Sequence, residues 1–176
     1  MKTKFPVFFA LFSILILMTA SCARVSRERT LPPSINSIYI PMAVNRSAEI
    51  GIEEDLTAYI QEEFLADGRL ELDTRRASDA HVIITITDFD EEAQTFDTEN
   101  YPRRVRQSIT LKIEIIQNVP GKPAFGPPRR VEASRTFNND ARTITYVPEP
   151  QGRDSVLREC ARKAVQEVIT GRFEDL

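Results

Sequence analysis

The sequence contains few of the residues that build metal centres, disulfides and nucleophilic sites. Its 176 residues include one histidine and two cysteines. The single histidine, His81, begins an apolar segment and has no second histidine or cysteine nearby to share a metal. Only six glycines are present, and none forms a glycine-rich phosphate loop. Since the serines also lack the nucleophile-elbow pattern, we expect no enzymatic activity and no cofactor.

One acidic group is the remaining candidate for catalysis or calcium binding. It contains Asp88, Asp90, Glu91 and Glu92. Neighbouring carboxylates can exchange protons with a substrate or coordinate calcium, but this spacing matches no calcium loop. We therefore interpret residues 90–100 as a solvated acidic turn and predict neither a metal site nor catalytic residues.

Long apolar runs are absent except at the N-terminus. There, Lys2 and Lys4 precede an apolar stretch over residues 7–18, and small residues at 19–21 lead to Cys22. This order is typical of a secretory signal peptide and is short for a transmembrane helix. A cysteine directly after small residues indicates a bacterial lipoprotein. An ordinary secretory signal or an uncleaved anchor is the alternative.

The lipoprotein interpretation divides the chain into three parts. Residues 1–21 are the signal peptide, residues 22–34 are a tether that starts at the lipidated Cys22, and residues 35–176 form one domain. More than one acyl chain is needed for stable anchoring, and a triacylated cysteine supplies it. Ala23, rather than aspartate, after the cysteine favours the outer membrane. Cys160 then has no intrachain partner, and we predict that it is a small buried thiol.

An excess of positive charge is also lacking. The net charge is −3, and it becomes −5 when Lys2 and Lys4 leave with the signal peptide. A modestly acidic protein is a poor general partner for nucleic acid, so we expect no nucleic-acid binding.

The hydrophobic periodicity predicts two helices and a sheet. Apolar residues recur at helical spacing over residues 52–66, where Gly68 is placed to end the helix, and again in a last helix that begins at Asp154 or Ser155 and ends near Gly171. Strands are predicted at residues 37–44, 69–75, 81–89, 104–116 and 131–137, with a possible short strand at 143–147. Two amphipathic helices need one sheet face to cover. We therefore predict an α+β two-layer sandwich with a mixed, mostly antiparallel sheet of four to five strands.

Several segments resemble the lipopolysaccharide-assembly lipoproteins of the LptE family. They are residues 31–33 (LPP), Ile35, residues 37–41 (SIYIP), 45–46 (NR), 51–57 (GIEEDLT), 64–70 (FLADGRL), 79–80 (DA) and 86–89 (ITDF). The resemblance implies a non-enzymatic lipoprotein at the periplasmic face of the outer membrane. It further implies that the protein supports and plugs an LptD-type barrel, which inserts lipopolysaccharide, and that it binds lipopolysaccharide itself.

Arginines beside the two long strands are the candidates for binding lipopolysaccharide phosphates, since guanidinium groups bind phosphate in a bidentate manner. They are Arg103, Arg104 and Arg106 at one strand start and Arg129 and Arg130 at the next. If the strands form a hairpin, the two groups lie at opposite ends of it. A solvated strand end is the alternative interpretation of each group.

Two other functions stay open on the sequence alone. One is an envelope lipoprotein that serves as an adaptor or activator of another machine, such as a cell-wall synthase or a secretion pore. The other is a periplasmic enzyme that uses Asp88 and Asp90. Recovery of a barrel protein in a pull-down would distinguish the first predicted function from both.

Overall fold

The computed structural model describes residues 31–122 and 124–171. The predicted signal peptide and Cys22 lie outside these residues. The elements, in chain order, are β1 Ser37–Tyr39, β2 Val44–Asn45, α1 Ile52–Asp67, β3 Glu71–Leu72, β4 Ala80–Phe96, β5 Pro102–Gln117, β6 Arg129–Asn138 and α2 Glu149–Thr170.

The strands form one mixed sheet in the order β3-β1-β4-β5-β6, with β2 following β1 along the same side of β4. β1 runs parallel to β3 and β4, whereas β4, β5 and β6 form an antiparallel meander. The predicted first strand is thus broken into β1 and β2. Pro41 lies in the break, where its missing N–H does not interrupt a ladder.

Both helices pack on one face of the sheet and enclose the core with it. In α1, Ile52, Leu56, Ile60 and Phe64 are buried, as the helical spacing predicts. In α2 the buried stripe contains Val156, Leu157, Cys160, Ala161, Ala164, Val165, Val168 and Ile169. The odd-numbered apolar residues of β5 from Val105 to Ile115 face these helices. The α+β two-layer fold predicted from the sequence is therefore confirmed.

The acidic segment after Phe89 is a strand, so the prediction of a loop over residues 90–100 is wrong for residues 90–96. β4 continues to Phe96 and pairs with β5 throughout, apart from register shifts. The first shift is a bulge at Thr87, whose hydroxyl donates to the carbonyl oxygen of Thr110 at 3.1 Å. One extra residue exchanges the two faces of a strand. Ile86 therefore faces the core before the bulge, and Phe89 packs against it afterwards.

The last helix begins at Glu149, five residues before the predicted cap at Asp154. Pro148 is the N-cap residue and Pro150 lies in the first turn. Proline is tolerated there because the first N–H groups of a helix have no intrahelical partner. Asp154 instead accepts hydrogen bonds from Tyr59 and Arg158, which joins α2 to α1. The possible strand at 143–147 is reduced to a single bridge between Asn138 and Tyr146.

The length of β5 gives the domain two poles. The N-terminal pole contains the start of β1 and the end of β5, where Asn118 N–H donates to the carbonyl of Asp79. The hairpin pole contains the turn between β4 and β5, at residues 97–101. The 16 residues of β5 separate the poles by roughly 50 Å, at about 3.3 Å per residue.

Candidate functional site: an arginine-lined cleft at the hairpin pole

A cleft of about 580 Å³ opens beside β6 at the hairpin pole. It lies between the end of β6, the segment at residues 145–147 and the first turns of α2. Its lining residues are Arg104, Arg135, Thr136, Phe137, Asn138, Thr145, Val147, Gly152 and Ser155. Six of these nine residues have polar side chains, and two of the six are arginines.

A glycine in α2 allows the helix to approach the end of β6. A Cβ placed on Gly152 would lie 2.6 Å from ring atoms of Phe137. Such a distance is shorter than any ordinary contact, so a larger residue would displace either the ring or the helix. Gly152 and Phe137 both line the cleft, so their close approach determines its shape beside α2.

The two cleft arginines come from neighbouring strands. Arg104 on β5 is the register partner of Asn138 on β6, and it is exposed. Arg135 on β6 is half-exposed and pairs with Glu159 of α2 at 3.5 Å. In the part of the chain that the structure describes, Arg104 forms no ion pair. Guanidinium groups with adjacent hydroxyls match a phosphate-type anion, which accepts several charge-assisted hydrogen bonds.

A four-residue ionic network, called the clasp below, holds the cleft wall in place. It consists of Asp97, Arg103, Asp140 and Arg142. Arg142 lies 3.0 Å from Asp97 and 2.9 Å from Asp140, and Arg103 lies 3.4 Å from Asp140. The clasp joins the β4–β5 turn to the segment at residues 139–147, which contributes Thr145 and Val147 to the cleft.

Hydrogen bonds keep both clasp carboxylates ionised. The N–H of Tyr101, with that of Glu99 and the guanidinium of Arg142, holds the pKa of Asp97 below its ordinary value. Hydrogen bonds from the Arg142 side chain and N–H chiefly lower the pKa of Asp140. Both side chains are almost fully covered, at 5% and 6% exposure, so they are poorly available to an outside cation.

The predicted arginines at the hairpin pole divide among three positions. Arg103 belongs to the clasp and Arg104 lines the cleft. Arg106 lies on the sheet face that no helix covers, and it donates to the hydroxyl of Ser134 at 3.1 Å. Of the three, Arg104 alone lines the cleft. Arg106 lies on the same side of β5 but donates to Ser134, and Arg103 turns towards Asp140.

The predicted pair at the start of β6 lies near the other pole. Lys112 pairs with Arg130, and Arg104 pairs with Asn138, so eight residues separate the groups, roughly 27 Å at strand spacing. Arg129 is largely covered and bonds to Glu167 near the end of α2 at 2.6 Å. Arg130 is 74% exposed and lies 3.7 Å from Glu132. The hairpin therefore separates the two groups as the sequence predicts.

Arg135, Asn138 and the hydroxyl-bearing residues of the cleft are not among the residues predicted from the sequence. Arg135 lies on the same side of β6 as buried Val131 and Ala133. A charged residue at the end of a buried side is the signal that could have identified it. Its exposure depends on how far α2 extends over β6, which no local pattern indicates.

His81 and Cys160, the other residues considered in the sequence, have contacts that fit a structural role. His81 stacks edge-on against Tyr39 with ring centroids 5.5 Å apart, and its Nε2 lies 2.9 Å from the carbonyl oxygen of Arg75. Cys160 is buried, as predicted, and burial raises the pKa of its thiol to about 12.

Among the described residues, no three histidine, cysteine or acidic side chains form a group suited to a metal ion. None of the helices in that part of the chain is long and apolar enough to cross a bilayer.

A family model described as lipopolysaccharide-assembly matches residues 35–170. This match covers nearly all of the domain described above. The chain belongs to the LptE family. This match confirms the family resemblance found in the sequence. LptE proteins are non-enzymatic lipoproteins that act in lipopolysaccharide assembly. No curated protein sequence matches the chain.

Solved structures of low sequence identity share the fold of this LptE chain. A hypothetical protein from Chlamydia trachomatis is 9% identical, has a TM-score of 0.53, and matches 76% of this chain and 98% of its own. A minor lipoprotein from Acinetobacter baumannii is 15% identical with a TM-score of 0.50, and the match covers 78% of this chain and 92% of that one. A PelC dodecamer from Paraburkholderia phytofirmans is 10% identical with a TM-score of 0.50, over 80% and 96% of the two chains.

Contacts around α1 explain several residues of the family resemblance. The amide of Asn45 donates to the carboxylate of Glu53 at 2.9 Å. The hydroxyl of Thr57 accepts the N–H of Ala43 at 2.9 Å and donates to the carbonyl oxygen of Glu53 at 2.6 Å. These bonds fix the break between β1 and β2 against the first turns of α1.

Proposed function

We propose that this protein is an outer-membrane lipoprotein that supports and plugs the barrel through which lipopolysaccharide enters the outer leaflet, and that it binds lipopolysaccharide. The family match over residues 35–170 is the observation that carries the proposal. The anchor is the lipid on Cys22, and the domain lies at the periplasmic face of the membrane.

The uncovered face of the sheet supports a role inside a water-filled barrel. Near the hairpin pole this face is polar, with Asp88, Asp90, Arg106, Ser134 and Thr136 among its side chains. Barrel interiors are polar and hydrated, so a rigid domain with a polar face can contact such a wall without burying unpaired charge. The same face is unsuited to contact with hydrocarbon.

The plug function is tested by crosslinking in living cells. A photo-reactive residue replaces Thr136, on the uncovered sheet face, or Leu65, on the outer surface of α1, and both positions are exposed. We expect an adduct with the lipopolysaccharide-insertion barrel from one or both positions. Cys22→Ser is the matched control, since it removes the anchor and should abolish the adduct. A cell-wall synthase or a secretion pore as the main adduct would contradict the proposal.

We infer further that the arginine-lined cleft is where a phosphate of lipopolysaccharide binds. Arg104 and Arg135 line the cleft from adjacent strands, together with Thr145 and Ser155, which carry hydroxyl groups. A phosphate monoester on a sugar matches these donors in charge and in number of hydrogen bonds. Arg129 is a weaker candidate, because its bond to Glu167 joins β6 to the end of α2.

Replacing both cleft arginines tests this site. We expect the double variant Arg104→Ala and Arg135→Ala to weaken lipopolysaccharide binding at least about tenfold, because a hydrogen bond to a charged group contributes about 1.5–3 kcal/mol. The melting temperature should hardly change, since an exposed ion pair such as Arg135–Glu159 contributes about 0–1 kcal/mol. Binding is measured by thermophoresis on the purified full-length protein in detergent.

Arg76→Ala is the control for loss of one positive charge at a surface away from the cleft. Arg76 is exposed and lies before β4, at the N-terminal pole. An affinity unchanged in the double variant, or reduced equally by Arg76→Ala, would show that the cleft is not the phosphate site.

A further inference from the structure

The hairpin pole exposes an unusual share of large apolar side chains. Ten such side chains are exposed among the described residues, and four of them belong to this pole: Phe96, Tyr101, Ile144 and Tyr146. Ile144 is fully exposed, and Tyr101 and Phe96 are 65% and 54% exposed. Single exposed apolar residues are ordinary, but a group of them at one place marks an interaction surface.

The clasp joins the two distant segments of the chain that carry these four side chains. Phe96 ends β4 directly before Asp97, Tyr101 is the last residue of the β4–β5 turn, and Ile144 and Tyr146 follow Arg142. The guanidinium of Arg142 lies 3.0 Å from the carboxylate of Asp97, so the two segments are in direct contact. The N–H of Asn139 also donates to the carbonyl of Arg103 at 2.9 Å.

The same residues adjoin the arginine-lined cleft. Ile144 and Tyr146 alternate with Thr145 and Val147, which line the cleft, and Tyr146 is bridged to Asn138 at the cleft edge. Arg104 is the register partner of Thr95, the neighbour of Phe96. One pole therefore presents an arginine-lined cleft and, on adjoining residues, four exposed apolar side chains.

We propose that this apolar surface binds acyl chains of the same glycolipid whose phosphate occupies the cleft; this inference rests on the proposed function. A phosphorylated acyl glycolipid has an anionic group and hydrocarbon only a few bonds apart, and the pole has the complementary arrangement. The clasp supports this occupant electrostatically, because Arg103 and Arg142 neutralise Asp97 and Asp140. Glu99 is the one carboxylate of the turn outside the clasp.

The decisive comparison uses two ligands that share the phosphates and differ in the acyl chains. Thermophoresis in detergent measures the full-length protein with intact lipopolysaccharide, and then with the fully deacylated, still phosphorylated saccharide made from it. The test variant combines Tyr101→Ser and Ile144→Ser. Its control combines Leu65→Ser and Ile50→Ser, which remove side chains of 67% and 88% exposure on other surfaces.

We expect the test variant to bind intact lipopolysaccharide at least about tenfold more weakly and the deacylated saccharide as tightly as the parent. Partial burial of two apolar side chains accounts for a difference of this size. The control variant should bind both ligands like the parent. The double variant at Arg104 and Arg135 should lose affinity for both ligands, since it removes the phosphate contacts.

Three results overturn the inference. The first is a test variant that keeps full affinity for lipopolysaccharide while the arginine variant loses it. This result would support the phosphate site and the proposed function but would exclude the acyl-binding surface. The second is an equal loss of affinity for both ligands. The third is an equal loss of binding to phosphatidylglycerol vesicles without lipopolysaccharide, which would assign the surface to general membrane contact.

Discussion

Replacing Phe64 by alanine is expected to lower the free energy of unfolding by about 3–5 kcal/mol. Phe64 lies near the end of α1, is 1% exposed and is among the largest buried side chains. Its removal withdraws an aromatic ring from the core that the helices and the sheet enclose, and close packing prevents the neighbours from filling the space. A domain of this size has a total stability of only about 5–15 kcal/mol, so much of it would be lost.

The adjacent residue supplies the control for this prediction. Leu65 is 67% exposed on the same helix, and Leu65→Ala should change the free energy of unfolding by less than about 0.5 kcal/mol. Urea denaturation followed by circular dichroism measures both variants. A loss below 1.5 kcal/mol for Phe64→Ala, or equal losses for both, would show that α1 does not pack against the core as described.

Replacing Asp79 by alanine is expected to cost about 1.5–3 kcal/mol, because the change removes a charged acceptor from the start of β1. One oxygen of its carboxylate accepts the N–H groups of Asn36 and Ser37 at 2.8 and 2.9 Å, and the hydroxyl of Ser37 at 3.2 Å. β1 is only three residues long and pairs with β3 and β4 through few backbone bonds. Loss of this carboxylate should therefore loosen the whole N-terminal pole.

Hydrogen exchange distinguishes this local effect from general destabilisation. In Asp79→Ala, the amides of β1 and β3 should exchange faster while those of α2 stay protected. Asp73→Ala is the control: Asp73 is exposed, and its carboxylate accepts the N–H of Thr74 at 2.6 Å. Unchanged protection of β1 in Asp79→Ala would contradict the structural role assigned here.

The helices, the main strands and the core residues could be predicted from local patterns. The apolar stripes of α1 and α2 and the alternation along β5 have the periods of a helix and a strand, and burial follows those periods. Gly68 ends α1 in the left-handed conformation that its position suggests, with φ of 69°. These features depend on residues that are close in the chain, so they can be predicted from one sequence.

The length of β4 could not be predicted in this way. Residues 90–96 are acidic and lack apolar alternation, so locally they indicate a turn. They form a strand because β5 lies beside them and supplies hydrogen-bond partners as far as Pro102. The bulge at Thr87 then places Asp88 and Asp90 on the uncovered face, a result of cross-strand register.

By itself, the sequence determined the family, the two-layer fold and the presence of arginines at both ends of the long hairpin. It also predicts the secretory and lipidation signal. Only the tertiary structure decided which arginines can act together. Arg104 and Arg135 are 31 positions apart and meet at one cleft because β5 and β6 pair antiparallel and Gly152 lets α2 approach Phe137. Arg103 belongs to the clasp because it pairs with Asp97 and Asp140, which come from separate segments. The pairing register between strands and the distance between α2 and the sheet depend on residues far apart in the chain. A short stretch of sequence therefore cannot predict them.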